Sequence, residues 1–277
     1  MATTNDFQRL QNDIDDLISL GLRNTSDRYR QALNESRDIL QKYADEYGLE
    51  FEDLQKYDRM DKLKKELGEV SRKAHIDYSQ IARSSLRDAY RESYGFTQNL
   101  IEDLTGITVR GKIKREVVQQ ALQNPVSGLT LNDRLRSNRR RIIRDIQEAV
   151  GQGIYNGEGY QKISRRMRDT FEGNMAKAER VARTEGHRMM EQGKSDSVQR
   201  AANQGVKVEK FWIDTADDRT RDTHQELGRK YSEDNAIPID EPFELGGMEA
   251  MFPGDFGDPA EDINCRCTVG YTSIEKE

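Results

Sequence analysis

Apolar residues recur at three-to-four spacing from the start of the chain. Phe7, Leu10, Ile14, Leu17, Ile18 and Leu20 form one stripe, which predicts an amphipathic helix. Gly21 interrupts the stripe, and Thr25-Ser26-Asp27 offers N-cap chemistry for a second helix. That helix carries Tyr29, Ala32, Leu33, Ile39, Leu40 and Tyr43 and is ended by Gly48. A highly charged segment from Phe51 to Leu67 follows, then a long helix from Val70 to Tyr94. The first proline is Pro125, as expected of uninterrupted helices.

Asn124-Pro125-Val126-Ser127-Gly128 is a loop signal and marks a boundary. Thr130 then stands as N-cap with Asp133 at the third helical position, a capping-box variant. The helix behind it holds Leu131, Leu135, Ile142, Ile143, Ile146 and Val150 and ends at Gly151 and Gly153. Its exposed side is expected to carry Arg134, Arg136, Arg139, Arg140, Arg141 and Arg144. After the Asn156-Gly157-Glu158-Gly159 turn, a short helix adds Lys162, Arg165, Arg166 and Arg168. Gly173-Asn174 starts another helix, which runs to about Gln204 with Gly205 as its C-cap.

Beyond Gly205 the period changes. Val206, Val208, Phe211 and Ile213 read as a strand, and Asp218 to Leu227 as a short helix closed by Gly228. Tyr231, Phe243 to Leu245, and Cys265 to Tyr271 are strand candidates between proline and glycine turns. The pattern predicts a mainly α chain, long helices followed by a small antiparallel sheet in a C-terminal α+β module. The domains are then an N-terminal helical region, 1–124, and a module over 125–277, helical over 125–205 and α+β over 206–277.

Composition narrows this picture. Of 277 residues, 34% are hydrophobic and 34% charged, which suits slender helical layers better than one thick core. Such helices seek partners, so self-association or docking on a larger body is expected. No run of about 18 apolar residues exists to span a membrane. The N-terminus lacks a secretory pattern, and two cysteines one residue apart cannot build a disulfide framework, so synthesis in a reducing cytoplasm is expected. Charge is uneven: 11 basic against 16 acidic residues over 1–70, 17 against 8 over 110–183, and 7 against 18 over 209–277. A basic middle suits a polyanion such as DNA, bound without sequence preference, or an acidic protein surface; neutralisation within an assembly is the alternative.

Candidate chemistry sits in two short words. One is Asp217-Asp218-Arg219-Thr220-Arg221-Asp222-Thr223-His224; the other is Ile263-Asn264-Cys265-Arg266-Cys267, which holds both cysteines of the chain. On a strand, residues two apart point the same way, so Cys265 and Cys267 could grip one ion with His224 as third ligand. Zn2+ is the cofactor these ligands would suit. A fourth ligand is not evident: His75 and His187 lie outside the α+β part over 206–277, His187 reads as packing or surface, and Asp217, Asp255 or water could complete the set. Small interior cysteines and a hydrogen-bonded core histidine are the alternative. His224-Gln225-Glu226 matches half of a zinc deaminase signature, but Cys-Arg-Cys lacks the Cys-x-x-Cys spacing of the other half. A zinc-dependent hydrolase or deaminase centred on His224, Cys265 and Cys267 is therefore the rival reading, with a non-specific DNA-binding protein as a second. No phosphate loop or nucleophile elbow is present. In Arg183-Thr184-Glu185-Gly186-His187, Glu185 stands three residues before Arg188, which allows a helical ion pair, and Thr184 and Gly186 point to close packing against the sheet module.

In order along the chain, these elements resemble the phage head-morphogenesis family, the minor capsid proteins of the phage Mu F-like and SPP1 gp7-like type. The resemblance covers roughly residues 125 to 272. It is carried by Gly128-Leu129-Thr130-Leu131-Asn132-Asp133-Arg134, the turn at Gly157-Glu158-Gly159, Ala182-Arg183-Thr184-Glu185, Phe211-Trp212 leading into the first word, Phe252-Pro253-Gly254-Asp255, and the second word. It implies that 125–277 is the head-morphogenesis module and that Thr184, Glu185, Asp217, Arg221, Pro253, Gly254, Asp255 and Asn264 are structural motif residues. It also implies a non-enzymatic minor capsid protein of a tailed phage, inside the procapsid at or near the portal, assisting head assembly and DNA packaging or ejection. Implied partners are the portal protein, other capsid or scaffolding proteins, and packaged double-stranded DNA. Arg134, Arg136, Arg139, Arg140, Arg141, Arg144, Arg165 and Arg166 are the candidate contacts to DNA or portal. The location implied is the virion interior, with the host cytoplasm during assembly. The family module sometimes travels with enzymatic or toxin domains, and none is expected to follow here.

Overall fold

The computed structural model describes residues 4–125 and 128–273. Val126 and Ser127, within the loop signal, lie outside the described residues, as do Met1–Thr3 and 274–277. The chain is mainly α with a small antiparallel C-terminal module, as its periodicity predicts.

The helical part comprises α1 (Thr4–Tyr47), α2 (Phe51–Gln55), α3 (Arg59–Thr105), α4 (Arg115–Ala121), α5 (Leu131–Tyr155) and α6 (Tyr160–Ala202). These helices run further than the punctuation suggests. Gly21, Thr25 and Ser26 lie inside α1, Gly151 and Gly153 inside α5, and Gly173 inside α6. Thr25 Oγ1 donates to Gly21 O at 2.9 Å and Ser26 Oγ to Leu22 O at 3.1 Å, so the would-be caps are satisfied within the helix. An interior glycine costs about 1 kcal/mol of propensity. Burying one more large apolar side chain on an unbroken face returns roughly 1.5–3 kcal/mol, so continuity wins. Gly48 does end α1: its φ is +75° and its N–H donates to Ala44 O at 3.0 Å.

The C-terminal module comprises β1 (Val208–Ile213), α7 (Asp222–Lys230), β2 (Ile237–Pro238), β3 (Phe243–Leu245), β4 (Met248–Ala250), α8 (Pro259–Asp262) and β5 (Thr268–Ser273). β1 is the middle strand of an antiparallel β2-β1-β5 sheet, and β3 pairs with β4 in a separate hairpin. Phe211 faces Gly270 across the β1–β5 ladder, where its ring fills the space a Cβ on Gly270 would need. Tyr231 closes α7 instead of forming a strand, its N–H donating to Leu227 O at 2.8 Å.

The described chain packs as two compact units. One contains 20–82 and 132–181; the other contains 1–19, 83–131 and 182–277. In the first, Tyr29 meets Tyr78 and Phe171 edge to face, among buried Leu33, Leu63, Leu67, Ile142 and Ile146. In the second, Trp212, Phe211, Phe243, Phe252 and Tyr271 form an aromatic core with the start of α1, through Phe7, and the end of α6, through Val198 and Ala201.

Candidate metal centre

The segment 214–221 is a loop in which Ala216 has φ +51°. Asp217 organises it: Oδ1 accepts from Arg219 N at 3.1 Å and from Thr220 Oγ1 at 3.0 Å. α7 starts at Asp222, placing His224 in its first turn, 1% exposed. The second word lies between α8 and β5, with Asn264 in the left-handed region at φ +57°. Cys265 and Cys267 thus stand in the turn before β5 and not on the strand itself.

The two words bind each other. Arg266 grips Asp217 bidentately, Nη2 to Oδ1 at 2.6 Å and Nη1 to Oδ2 at 2.7 Å, and this holds the carboxyl well below the usual carboxylate range. Arg221 Nη2 donates to Ile263 O at 2.6 Å, and Thr215 Oγ1 to Arg266 O at 3.1 Å. Asp217 is therefore committed to Arg266 and does not complete a ligand set.

At the centre, His224 Nδ1 lies 3.3 Å from Cys267 Sγ and 3.6 Å from Cys265 Sγ. The three ligand atoms fall within 4.8 Å of one another, all buried. His224 Nε2 lies 2.9 Å from Glu261 Oε2 without the angle of a hydrogen bond, and Glu261 Oε2 accepts from Thr223 Oγ1 at 3.2 Å. Trp212 packs edge to face on the imidazole, centroids 5.5 Å apart, and Phe256 covers it at 6.3 Å. The Cys265 thiol is pushed up to about 12 by its hydrogen bond with Cys267 and by burial. Burial is the largest influence on His224 and works against its charged form, but Cys265 and Glu261 together raise its pKa above the ordinary value.

His187 corrects an expectation. It belongs to the same compact unit as the sheet, on α6, and lines the same cleft as Cys265. It is 7% exposed, and its Nε2 is buried without a hydrogen-bond partner among the described residues. Gly254, at φ +89°, brings its backbone against the same ring: a Cβ there would stand 3.7 Å from His187 Cδ2. Arg183, Arg221 and Arg266 with Asp15 line a cleft of about 650 Å³ over His187 and Cys265.

A comparison with known proteins now bears on this geometry. The family model described as Phage Mu protein F like protein matches residues 144–270. The minor head protein GP7 of Bacillus phage SPP1 is 30% identical over 273 residues, 95% of this chain and 86% of that protein. The chain belongs to the phage head-morphogenesis family. A role in phage head morphogenesis follows from that membership. An NAD(+)--arginine ADP-ribosyltransferase, EFV, of Enterococcus faecalis (strain ATCC 700802 / V583) is 30% identical over 185 residues, 67% of this chain and 37% of that protein. Most of that transferase therefore has no counterpart here. No solved structure matches the chain.

Thr184, Glu185 and Asp255 also make bonds within the fold. Thr184 Oγ1 receives Asn264 N–H at 3.5 Å, a long bond. Glu185 holds the buried Arg188 at 3.2 Å, and Arg188 Nη2 donates to Ala121 O at the end of α4 at 2.9 Å. Asp255 Oδ2 accepts from Met251 N at 3.1 Å in the turn that contains buried Pro253. Gly186 is closely packed as expected, but against Ile18 of α1 and not against the sheet.

Two residues that sequence reading passed over join α6 to β5. Lys194 and Glu191, both fully buried, pair at 3.1 Å. Lys194 Nζ donates to Val269 O at 2.6 Å, and Glu191 Oε2 accepts from Val269 N at 3.1 Å. The only sequence signal was the i, i+3 spacing of Glu185, Arg188, Glu191 and Lys194 on one helix face, which also describes a solvated stripe.

The basic cluster belongs to the other unit, on α5 and early α6. Arg136, Arg140 and Arg144 make an exposed line at four-residue spacing, while Arg134, Arg139 and Arg141 are half-buried, so the six do not share one solvent face. Arg144 lies 3.3 Å from Asp145 and 3.7 Å from Glu148. Arg165 is exposed; Arg166 is held by Glu158 at 2.5 Å, which lowers that carboxyl to about 2.

Proposed function

We propose that this chain is a non-enzymatic minor capsid protein of a tailed phage, held inside the procapsid at or near the portal, where it assists head assembly and DNA packaging or ejection. The observation that carries this reading is the span of the similarity to a minor head protein, nearly the full length of both chains. Residues 125–277 form the head-morphogenesis module in this reading, and the family match falls within them. Residues 1–124 supply long helices for contacts with portal, scaffolding or a second copy.

A non-enzymatic role is supported by how the two words use their polar groups. Asp217 is spent on Arg266, Arg221 on Ile263 O and Thr223 on Glu261, leaving these groups bound to one another and not poised over a substrate. No helix among the described residues is long and apolar enough to cross a membrane.

The line of Arg136, Arg140 and Arg144 supports contact with packaged DNA through phosphates, without base reading. Replacing all three with Ala is expected to weaken duplex binding and to lower the slope of log K against log salt by up to about 3, at roughly 0.9 for each phosphate no longer neutralised. Titrations at several salt concentrations measure this, and an unchanged slope assigns the line to protein docking. Cross-linking of intact procapsids tests the location. Links from this chain to the portal protein are expected; links to the shell alone would remove the portal from the reading.

A further inference from the structure

We propose that His224, Cys265 and Cys267 hold a structural Zn2+, with His187 as the fourth ligand and Glu261 as the carboxylate that orients His224.

The distances fit a metal better than they fit plain packing. Tetrahedral zinc with Zn–S near 2.3 Å and Zn–N near 2.0–2.1 Å sets its nitrogen and sulfur ligands about 3.5 Å apart. The two observed His224 Nδ1 to sulfur distances, 3.3 and 3.6 Å, bracket that edge. The orientation of the imidazole agrees as well. Zinc-bound histidines present one nitrogen to the metal and the other to a carboxylate, backbone carbonyl or water, which fixes the ring. Here Nδ1 faces both sulfurs and Nε2 faces Glu261 at 2.9 Å.

His187 is the independent second observation. It lines the same cleft as Cys265, and its Nε2 is buried without a hydrogen-bond partner among the described residues. A buried, unpaired polar atom is unfavourable, and ligation would satisfy it. His187 is not part of the mutually close set of three, so it reaches the ion by a side-chain adjustment from α6. A two-sulfur, two-nitrogen donor set suits Zn2+. The physical consequence is a cross-link joining α6, α7 and the turn before β5, in a module whose strands are short.

The test uses the full chain purified under reducing conditions. Elemental analysis is expected to find stoichiometric zinc; chelation should lower Tm and added zinc should restore it. Cobalt in place of zinc should give thiolate charge-transfer bands and the intense visible bands of a four-coordinate tetrahedral ion. Cys265→Ser with Cys267→Ser should abolish both signals, and Glu261→Gln should weaken zinc binding roughly 10–100-fold. His187→Ala should weaken it at least as much and alter the cobalt bands. Zinc content and cobalt spectra of the parent protein read the site even where a variant fails to fold. A folded parent that takes up no zinc from micromolar solution, or zinc retained by the double serine variant, overturns the site. An unchanged cobalt spectrum in His187→Ala removes His187 from it.

Discussion

In the helical unit formed by 20–82 and 132–181, the interior is leucine, isoleucine and tyrosine at helical spacing, and the buried hydroxyls of Thr25 and Ser71 bond back into their own helices. The unit that carries the sheet is built otherwise. It buries Glu185, Arg188, Glu191 and Lys194 on one helix and uses them to grip α4 and β5. It also ties two distant loops together through Asp217–Arg266 and the His224 cluster. The first unit is held by area removed from water, which tolerates substitution if volume is kept. The second depends on paired polar groups, which tolerate loss of either partner poorly.

The largest break in that contrast is expected at Lys194. Lys194→Met strands Glu191 in a fully buried position and should cost about 3–5 kcal/mol, read by urea denaturation. A loss under about 1 kcal/mol would mean the polar pair contributes little to joining α6 and β5.

The helical unit buries a histidine, His75. His75 Nε2 donates to Leu135 O at 2.8 Å, and Nδ1 lies 3.3 Å from the Tyr29 hydroxyl, an arrangement that suits the neutral ring. Burial lowers its pKa to about 4, below the ordinary 6.5. Between those values the unfolded chain binds the proton and the folded one does not. Stability is therefore full above pH 6.5 and falls as pH drops towards 4, by up to about 3 kcal/mol. Denaturation curves across that range measure it, and His75→Gln should flatten this part of the profile.

A smaller effect separates two helical glycines. A Cβ at Gly193 would meet Tyr90 O at 2.5 Å, whereas at Gly68 it would meet the movable Gln147 amide at 2.9 Å. Gly193→Ala should destabilise by about 1–3 kcal/mol, while Gly68→Ala should be close to neutral because the propensity gain of about 1 kcal/mol offsets the shift. Equal losses at both sites, by thermal melts, would contradict the distinction.

The helices were legible because a 3.6-residue period repeats over many turns, as the stripe from Phe7 to Ile18 illustrates. Their ends were less so: Gly21 and Gly173 read as breaks, yet a single glycine costs less than the apolar face it would interrupt. His224, Cys265 and Cys267 stood out by rarity of residue type. His187, Glu261 and Lys194 did not, because their meaning depends on partners distant in the chain. Lys194 meets Thr268 and Val269 74 and 75 positions away, and no local pattern distinguishes such a residue from a solvated one. Asp217 read as a possible fourth ligand, and its bidentate partner proved to be Arg266 in the other word.

Quantitative mass spectrometry of purified procapsids and mature virions tests the central claim most directly. This chain is expected in both particles at a few copies each, far below the major shell protein. Its absence from procapsids that are otherwise complete would contradict the assignment to the head.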